Sequence, residues 1–365
     1  MSLLPPSRLA TCKDALAVLS SAVSELETAQ ARAVPVKNAR GESAFTWAPD
    51  EKERTSLLPI RHEDIWKVRK QIEALHWTAQ EVDLTLDLRD WQTRMSDDQR
   101  HFVKMQLAFF AYADIDVLQG LEEVCEGVDC LEAQMAYAAQ KDQECVHAES
   151  YALQIDALLT GPERQEVIDA VRALPTLAAM RTWARRWFDR ALPVGERLAA
   201  FAAVEGVLFS SSFAAFQYLR DLSILPGVTM LNDFISRDEG VHQDFSCLLL
   251  RKYIRTRPAQ ARVHEIFIEA VTIVDNFVRK ALPVSLLGMN ADLMAQYVHY
   301  QADVVLANMA YQPVWHVENP FPFMDKSALN KGSKTDFFEL IPTQYQNVSR
   351  AGQNKFALDV SPVVL

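Results

Sequence analysis

The chain has 365 residues, enough to bury a large core, and its formal net charge of −11 argues against a nucleic-acid surface. Its 11 glycines stand against abundant Ala, Leu, Glu, Gln and Arg, a composition that favours helices. Five scattered cysteines (Cys12, Cys125, Cys130, Cys145 and Cys247) read as reduced thiols of an intracellular, cytoplasmic protein rather than as a disulfide framework or a zinc site.

Residues 1–58 read as a loosely ordered N-terminal segment. A short amphipathic helix is expected at 13–30, followed by the polar linker ARAVPVKNARGESAFTWAPDEKERT. No charged-then-apolar leader is seen in Met1–Lys13. From Pro59 apolar residues recur at helical spacing to about Met309, broken only at Gly161-Pro162, Pro175, Pro193, Pro226-Gly227, Pro283 and Gly288. Segments of about 15–30 residues lie between these breaks, and strand-like alternation is hard to find. The pattern predicts an all-α protein, a bundle of long helices over 59–318. Residues 319–365 read as an irregular segment and a mobile tail. The most apolar stretch, FAAVEGVLFSSSFAAFQYL (Phe201–Leu219), carries Glu205 in its middle, so a membrane span is not expected.

Glu205 poses a chemical question. An ionised carboxylate in an apolar helix costs several kcal/mol unless it is neutral, paired or bound to a cation, and nothing basic lies within a turn of it. The motif Glu-x-x-His places both side chains on one helix face, where they can hold one metal ion. It occurs three times, as EALH (73–76), ECVH (144–147) and EGVH (239–242). EALH closes a charged helix, and Glu73 reads as solvated. The other two sit deep in long helical segments. Each follows a lone carboxylate in an apolar helix: Asp114 precedes Glu144, and Glu205 precedes Glu239. Four helices thus deliver four carboxylates and two imidazoles, Asp114, Glu144, His147, Glu205, Glu239 and His242. Hard oxygen donors with one imidazole per ion suit iron or manganese better than zinc, and four carboxylates balance two divalent ions. A single Glu-x-x-His is ordinarily an exposed pair, and Glu205 alone could pair with an arginine from another helix; the repeated arrangement favours the metal. Tyr151 lies one turn beyond His147 on the same face, with Phe209, Phe213 and Ile235 as a candidate dry wall around it. On its own, Tyr151 reads as packing.

The blocks PIRHEDIWKVRKQIEALHWTAQEVDL, LAFFAYADIDVLQGL, ECVHAESY, FAAVEGVLFSSSFA, FISRDEGVHQDF and VENPFPFMD occur in one order over about 59–345. Together they resemble the small, radical-generating subunit of class I ribonucleotide reductase. The resemblance implies a ferritin-like helical bundle with a carboxylate-bridged di-metal site in its core. It implies two iron ions, manganese being possible, with Asp114, Glu144 and His147 on one and Glu205, Glu239 and His242 on the other. It further implies that Tyr151 holds a stable radical generated with oxygen. Trp77 and Asp238 would carry that radical outward, Asp238 bonding to His147, and Tyr345 would relay it to the large subunit. There ribonucleotides are reduced to deoxyribonucleotides. The implied assembly is a homodimer that docks on the large subunit through the C-terminal tail; neither nucleic acid nor membrane is a partner. Here KFALD fits the tail pattern of the family, but VSPVVL follows it. A different di-metal oxidase on the same bundle would share the six ligands without requiring Trp77, Asp238 and Tyr345 together. A helical interaction protein with its acids paired to arginines would bind no metal.

Overall fold

The computed structural model describes residues 44–125, 127–281 and 284–326. The expected helix at 13–30, Tyr345 and the tail lie outside them. Ten α-helices carry the described chain: α1 (Glu63–Ala74), α2 (Thr85–Thr93), α3 (Asp97–Cys125), α4 (Leu131–Leu158), α5 (Gly161–Arg172), α6 (Pro175–Trp187), α7 (Val194–Ala203), α8 (Ser210–Asp221), α9 (Pro226–Leu248) and α10 (Gln260–Asn276); an eleventh, α11 (Ala291–Asn308), closes the bundle. No strand occurs among the described residues, and one isolated bridge joins Phe45 to Ile254.

The boundaries follow from local chemistry. Thr160 and Glu163 form a reciprocal capping box at the start of α5, with Pro162 in its first turn. Asp87 of α2 accepts hydrogen bonds from the backbone of Gly227 and Val228 at 3.0 and 2.9 Å, and so ties α2 to the first turn of α9. That turn needs outside acceptors, because the first amides of a helix have no partner within it. Gly227 is required there, since a Cβ would sit 2.6 Å from Asp87 Oδ2.

α3 and α4 pack along each other, α1 lies on α4, and α9 packs against both α7 and α8. The apolar stretch Val194–Asp221 is long and apolar enough to cross a membrane, yet its most apolar window is wholly buried inside the bundle. It runs as α7, a π-helical turn at Val204–Leu208, and α8. Glu205 sits in that turn, whose wider i→i+5 spacing re-aims side chains at a site. Gly206 beside it leaves room for neighbours, because a Cβ would overlap Gln243 Oε1.

Residues 44–58 fell within the segment expected to be loose, but they pack on the bundle. Phe45 is fully buried and stacks on Trp47, with centroids 4.5 Å apart. Arg54 bonds Glu132 of α4 through two nitrogens at 2.8 and 2.9 Å. The described bundle therefore extends N-terminal to Pro59. Its linker-like polar residues form a buried charge network with Glu132 in the first turn of α4, which apolar periodicity does not reveal.

Candidate metal centre

Asp114 (α3), Glu144 and His147 (α4), Glu205 (the π turn) and Glu239 and His242 (α9) are all buried. Ligand atoms of Glu144, Glu205, Glu239 and His242 lie within 4.8 Å of one another. Glu144 presents Oε1 to His242 Nδ1 at 2.9 Å and Oε2 to His147 Nδ1 at 3.3 Å. Glu239 does the same, with Oε1 3.1 Å from His147 Nδ1 and Oε2 3.2 Å from His242 Nδ1. Each central glutamate therefore addresses both histidines, whose ring centroids are 6.1 Å apart. The i, i+3 spacing on α4 and α9 produces this symmetry directly. Asp114 stands just outside the tight group of four and acts electrostatically on His147, Glu144 and Glu239.

Burial, reinforced by Glu239, Glu144 and Asp114, pushes the Glu205 carboxyl well above its usual range. Burial does the same to Asp114. Glu239 moves the other way: burial would raise it, but Glu205 and the two histidines hold its carboxylate well below the usual range. Burial lowers the affinity of both histidines for a proton, but the surrounding carboxylates outweigh it, raising His147 well above its ordinary value and His242 to about 9. Raised Asp114, Glu205, His147 and His242 thus surround the ionised carboxylate of Glu239. Asp114 Oδ2 and Glu205 Oε2 are buried and make no hydrogen bond, and His147 Nδ1 makes none either. These unpartnered donor atoms, with a hard-oxygen and imidazole donor set, fit divalent cations.

Trp77 Nε1 donates to Asp238 Oδ2 at 2.7 Å, and the same oxygen lies 3.4 Å from His147 Nε2. Trp77, Asp238 and His147 thus form one buried line. Arg237 clamps it from outside, donating to Asp238 Oδ1 at 3.1 and 2.9 Å and to the Leu75 carbonyl at 2.9 Å. Burial would raise the Asp238 carboxyl; Arg237, His147 and Trp77 together lower it, so it stays ionised.

Tyr151 is buried, its hydroxyl makes no hydrogen bond, and burial raises its pKa well above the ordinary value. Its ring stacks on Phe110 at 4.7 Å and an interplanar angle of 5°. Phe213 and Phe209 back Phe110 at 5.2 and 6.0 Å. Ile235 is buried in the same core. Phe110 was not singled out in the sequence, although it precedes Asp114 by one turn. Gln140 and Gln143 carry no such sequence signal either. Gln140 Nε2 donates to Glu205 Oε1 at 3.2 Å, and Gln143 Oε1 lies 2.9 Å from His242 Nε2. A partly open pocket of about 500 Å³, its rim carrying Glu123, Arg181, Arg185, Asp189 and Arg190, adjoins the ligand helices. Ala113 and Val204, chain neighbours of Asp114 and Glu205, line it, with Val117, Leu208 and Phe209.

The third Glu-x-x-His is not part of the site. Glu73 is exposed and pairs with Lys70 and Arg69, and His76 is exposed. A second group of ligand-type residues, Glu51, His62, Cys130 and Glu132, already holds a cation. Arg54 Nη1 lies 2.7 Å from Glu51 Oε1 and 2.8 Å from Glu132 Oε2.

A helical bundle with two inward Glu-x-x-His pairs and two further carboxylates at its core belongs to the class of metal-dependent ferritin-like proteins. The family model for the ribonucleotide reductase small chain matches residues 54–320. Ribonucleoside-diphosphate reductase subunit M2 of Homo sapiens is 41% identical over 312 residues, 84% of this chain and 79% of that protein. Small chain 1 of the Saccharomyces cerevisiae enzyme is 43% identical over 300 residues, 81% of this chain and 74% of that one. Among solved structures, the Rnr4 homodimer from Saccharomyces cerevisiae matches with a TM-score of 0.71 and 31% identity, over 74% of this chain and 87% of that one. The dimanganese(II)-NrdF of Streptococcus sanguinis shares the fold, with a TM-score of 0.64 at 17% identity, over 76% of this chain and 98% of that one. The chain belongs to the ribonucleotide reductase small chain family. Its function is that of the small subunit of ribonucleoside-diphosphate reductase, an oxidoreductase of deoxyribonucleotide synthesis.

Proposed function

We propose that Asp114, Glu144 and His147 hold one metal ion and Glu205, Glu239 and His242 a second, both iron, with manganese suited to the same donors. The observation that carries this is the double address of Glu144 and Glu239, each facing both histidines through separate oxygens. When bound, the metal pair supplies oxidising power from dioxygen. The remaining steps belong to the chain. Tyr151 gives up one electron and its phenolic proton together, since burial disfavours a phenolate. Asp114, a buried carboxylate one turn beyond the Phe110 that stacks on Tyr151, is the proton acceptor we assign, although no hydrogen bond joins the two. Phe110, Phe209 and Phe213 keep water from the resulting neutral radical.

The line His147–Asp238–Trp77 then carries the oxidising equivalent outward, and Tyr345 hands it to a separate large subunit that binds the ribonucleotide. Asp238, ionised and held by Arg237, takes part through its bonds to Trp77 and His147. The tail, with Phe356 and Leu358 as apolar anchors, docks on that subunit. The assembly is a homodimer, as the solved Rnr4 relative is. Four described cysteines are free, in keeping with a reducing cytoplasm.

The test is electron paramagnetic resonance after oxygen is added to reduced, iron-loaded protein, with metal content measured alongside. The parent should show two irons per chain and a tyrosyl signal. Tyr151→Phe should keep both irons and lose the signal, with stability changed by about 1 kcal/mol or less. An unchanged signal in that variant would overturn the assignment of Tyr151.

A further inference from the structure

The two halves of the centre match in their ligands and differ behind them. His147 has the carboxylate of Asp238 at its outer nitrogen, 3.4 Å away. His242 has the side-chain amide of Gln143 there, at 2.9 Å. Both Gln143 and His242 are buried. Nδ1 of His242 faces Glu144 and Glu239, so a cation on that side leaves the ring proton on Nε2. The partner of Nε2 must then be an acceptor, and the Gln143 oxygen is in place. The other end of the amide, Nε2 of Gln143, is buried without a hydrogen bond. A glutamine that leaves its own donor unpaired to present its oxygen is poorly explained by packing, because buried polar atoms normally find partners.

We infer that Gln143 is the positioning residue of His242, fixing the tautomer and ring orientation needed at the second metal position. The inference rests on the metal assignment above. A ligand histidine gains basicity from the group that accepts its other proton, and a charged acceptor gives more than a neutral one. The His242 half is therefore the weaker half of a symmetric ligand set, and Gln143 sets that difference.

The experiment titrates full-length, metal-free protein with manganese(II), counts bound ions per chain, and follows the paramagnetic resonance of the ion. An isolated manganese and an exchange-coupled pair have different spectra. The parent should bind two ions, the second more weakly. Gln143→Leu should keep the first ion and its isolated-ion spectrum, and should bind the second about 10–100-fold more weakly. Retention of the first ion reports that the bundle has folded. Gln143→Glu should restore the second ion at parental affinity or better. Parental binding of both ions by Gln143→Leu, or loss of the second ion from Gln143→Glu, would overturn the inference while leaving the metal assignment standing. A parent that binds no manganese would overturn both.

Discussion

Two buried carboxylate clusters in this bundle use the same residue types and solve the same problem in different ways. Around α4's first turn, Glu51 and Glu132 close on Arg54, whose guanidinium lies 2.7–2.9 Å from three of their oxygens. At the centre of the bundle, Asp114, Glu144, Glu205 and Glu239 face histidines and one another. The first cluster carries its own permanent cation and so is finished as folded. The second has histidines and protons where the first has an arginine, and Asp114 Oδ2, Glu205 Oε2 and His147 Nδ1 make no hydrogen bond. A count of Glu, His and Cys within reach of one another does not separate them. The presence of an arginine inside one of them does.

Removing a charge should break the two clusters differently. Arg54→Met would strip the buried Glu132 of its cation and leave Glu51 only Arg61, at 3.1 Å, and breaking a buried pair in this way costs about 3–5 kcal/mol. Thermal or urea unfolding should show that loss, with metal binding retained by the fraction that stays folded. Glu205→Gln replaces a carboxyl already driven to its neutral form. Stability of the metal-free variant should stay within about 1 kcal/mol of the parent, while metal analysis shows the second ion lost.

The clusters should also fail at opposite ends of the pH scale. Burial would raise the Glu132 carboxyl, but Arg54 prevails and holds it at about 2, below the ordinary 4.5. A depressed carboxylate stabilises above its unfolded pKa, and that contribution is lost as pH falls from 4.5 through 2. His242 is raised to about 9 from 6.5. Its contribution is complete below pH 6.5 and is lost as pH rises through 9, at most about 3 kcal/mol for one group. Unfolding midpoints of metal-free protein should therefore decline on the alkaline side, and bound metal should flatten that limb because the imidazole is then held neutral. Arg54→Met should flatten only the acid limb.

The smallest effect belongs to the third Glu-x-x-His. Glu73→Gln removes an exposed pair with Lys70 and Arg69, worth about 0.5 kcal/mol or less. Neither metal content nor the unfolding midpoint should move measurably.

The central site was legible because a helix repeats its geometry: Glu-x-x-His with a lone upstream carboxylate fixes which faces meet. The placement of Asp114, Glu205 and both pairs follows from that, as does the line from Trp77 through Asp238 to His147 once the family is recognised. Phe110 was hidden because an apolar helix offers several equivalent phenylalanines, and only the packing of α3 on α4 selects one. Gln143 was hidden because it adjoins Glu144 in sequence and meets its partner from α9 only in the fold. The Arg54 cluster was hidden inside a stretch that reads as a polar linker, since its partner Glu132 is 78 residues away. Periodicity reports which face of an element is apolar; it does not report which charges from distant elements share one buried volume.

The central claim is that Asp114, Glu205 and the two core histidines carry protons that two divalent cations would displace. Calorimetric titration of metal-free protein with manganese(II) or iron(II), repeated in buffers of different ionisation enthalpy, measures both the ions bound and the protons released. Two ions per chain, with net proton release near pH 7, is the result predicted. Saturation with no bound metal, or two ions bound with no protons released, would contradict it.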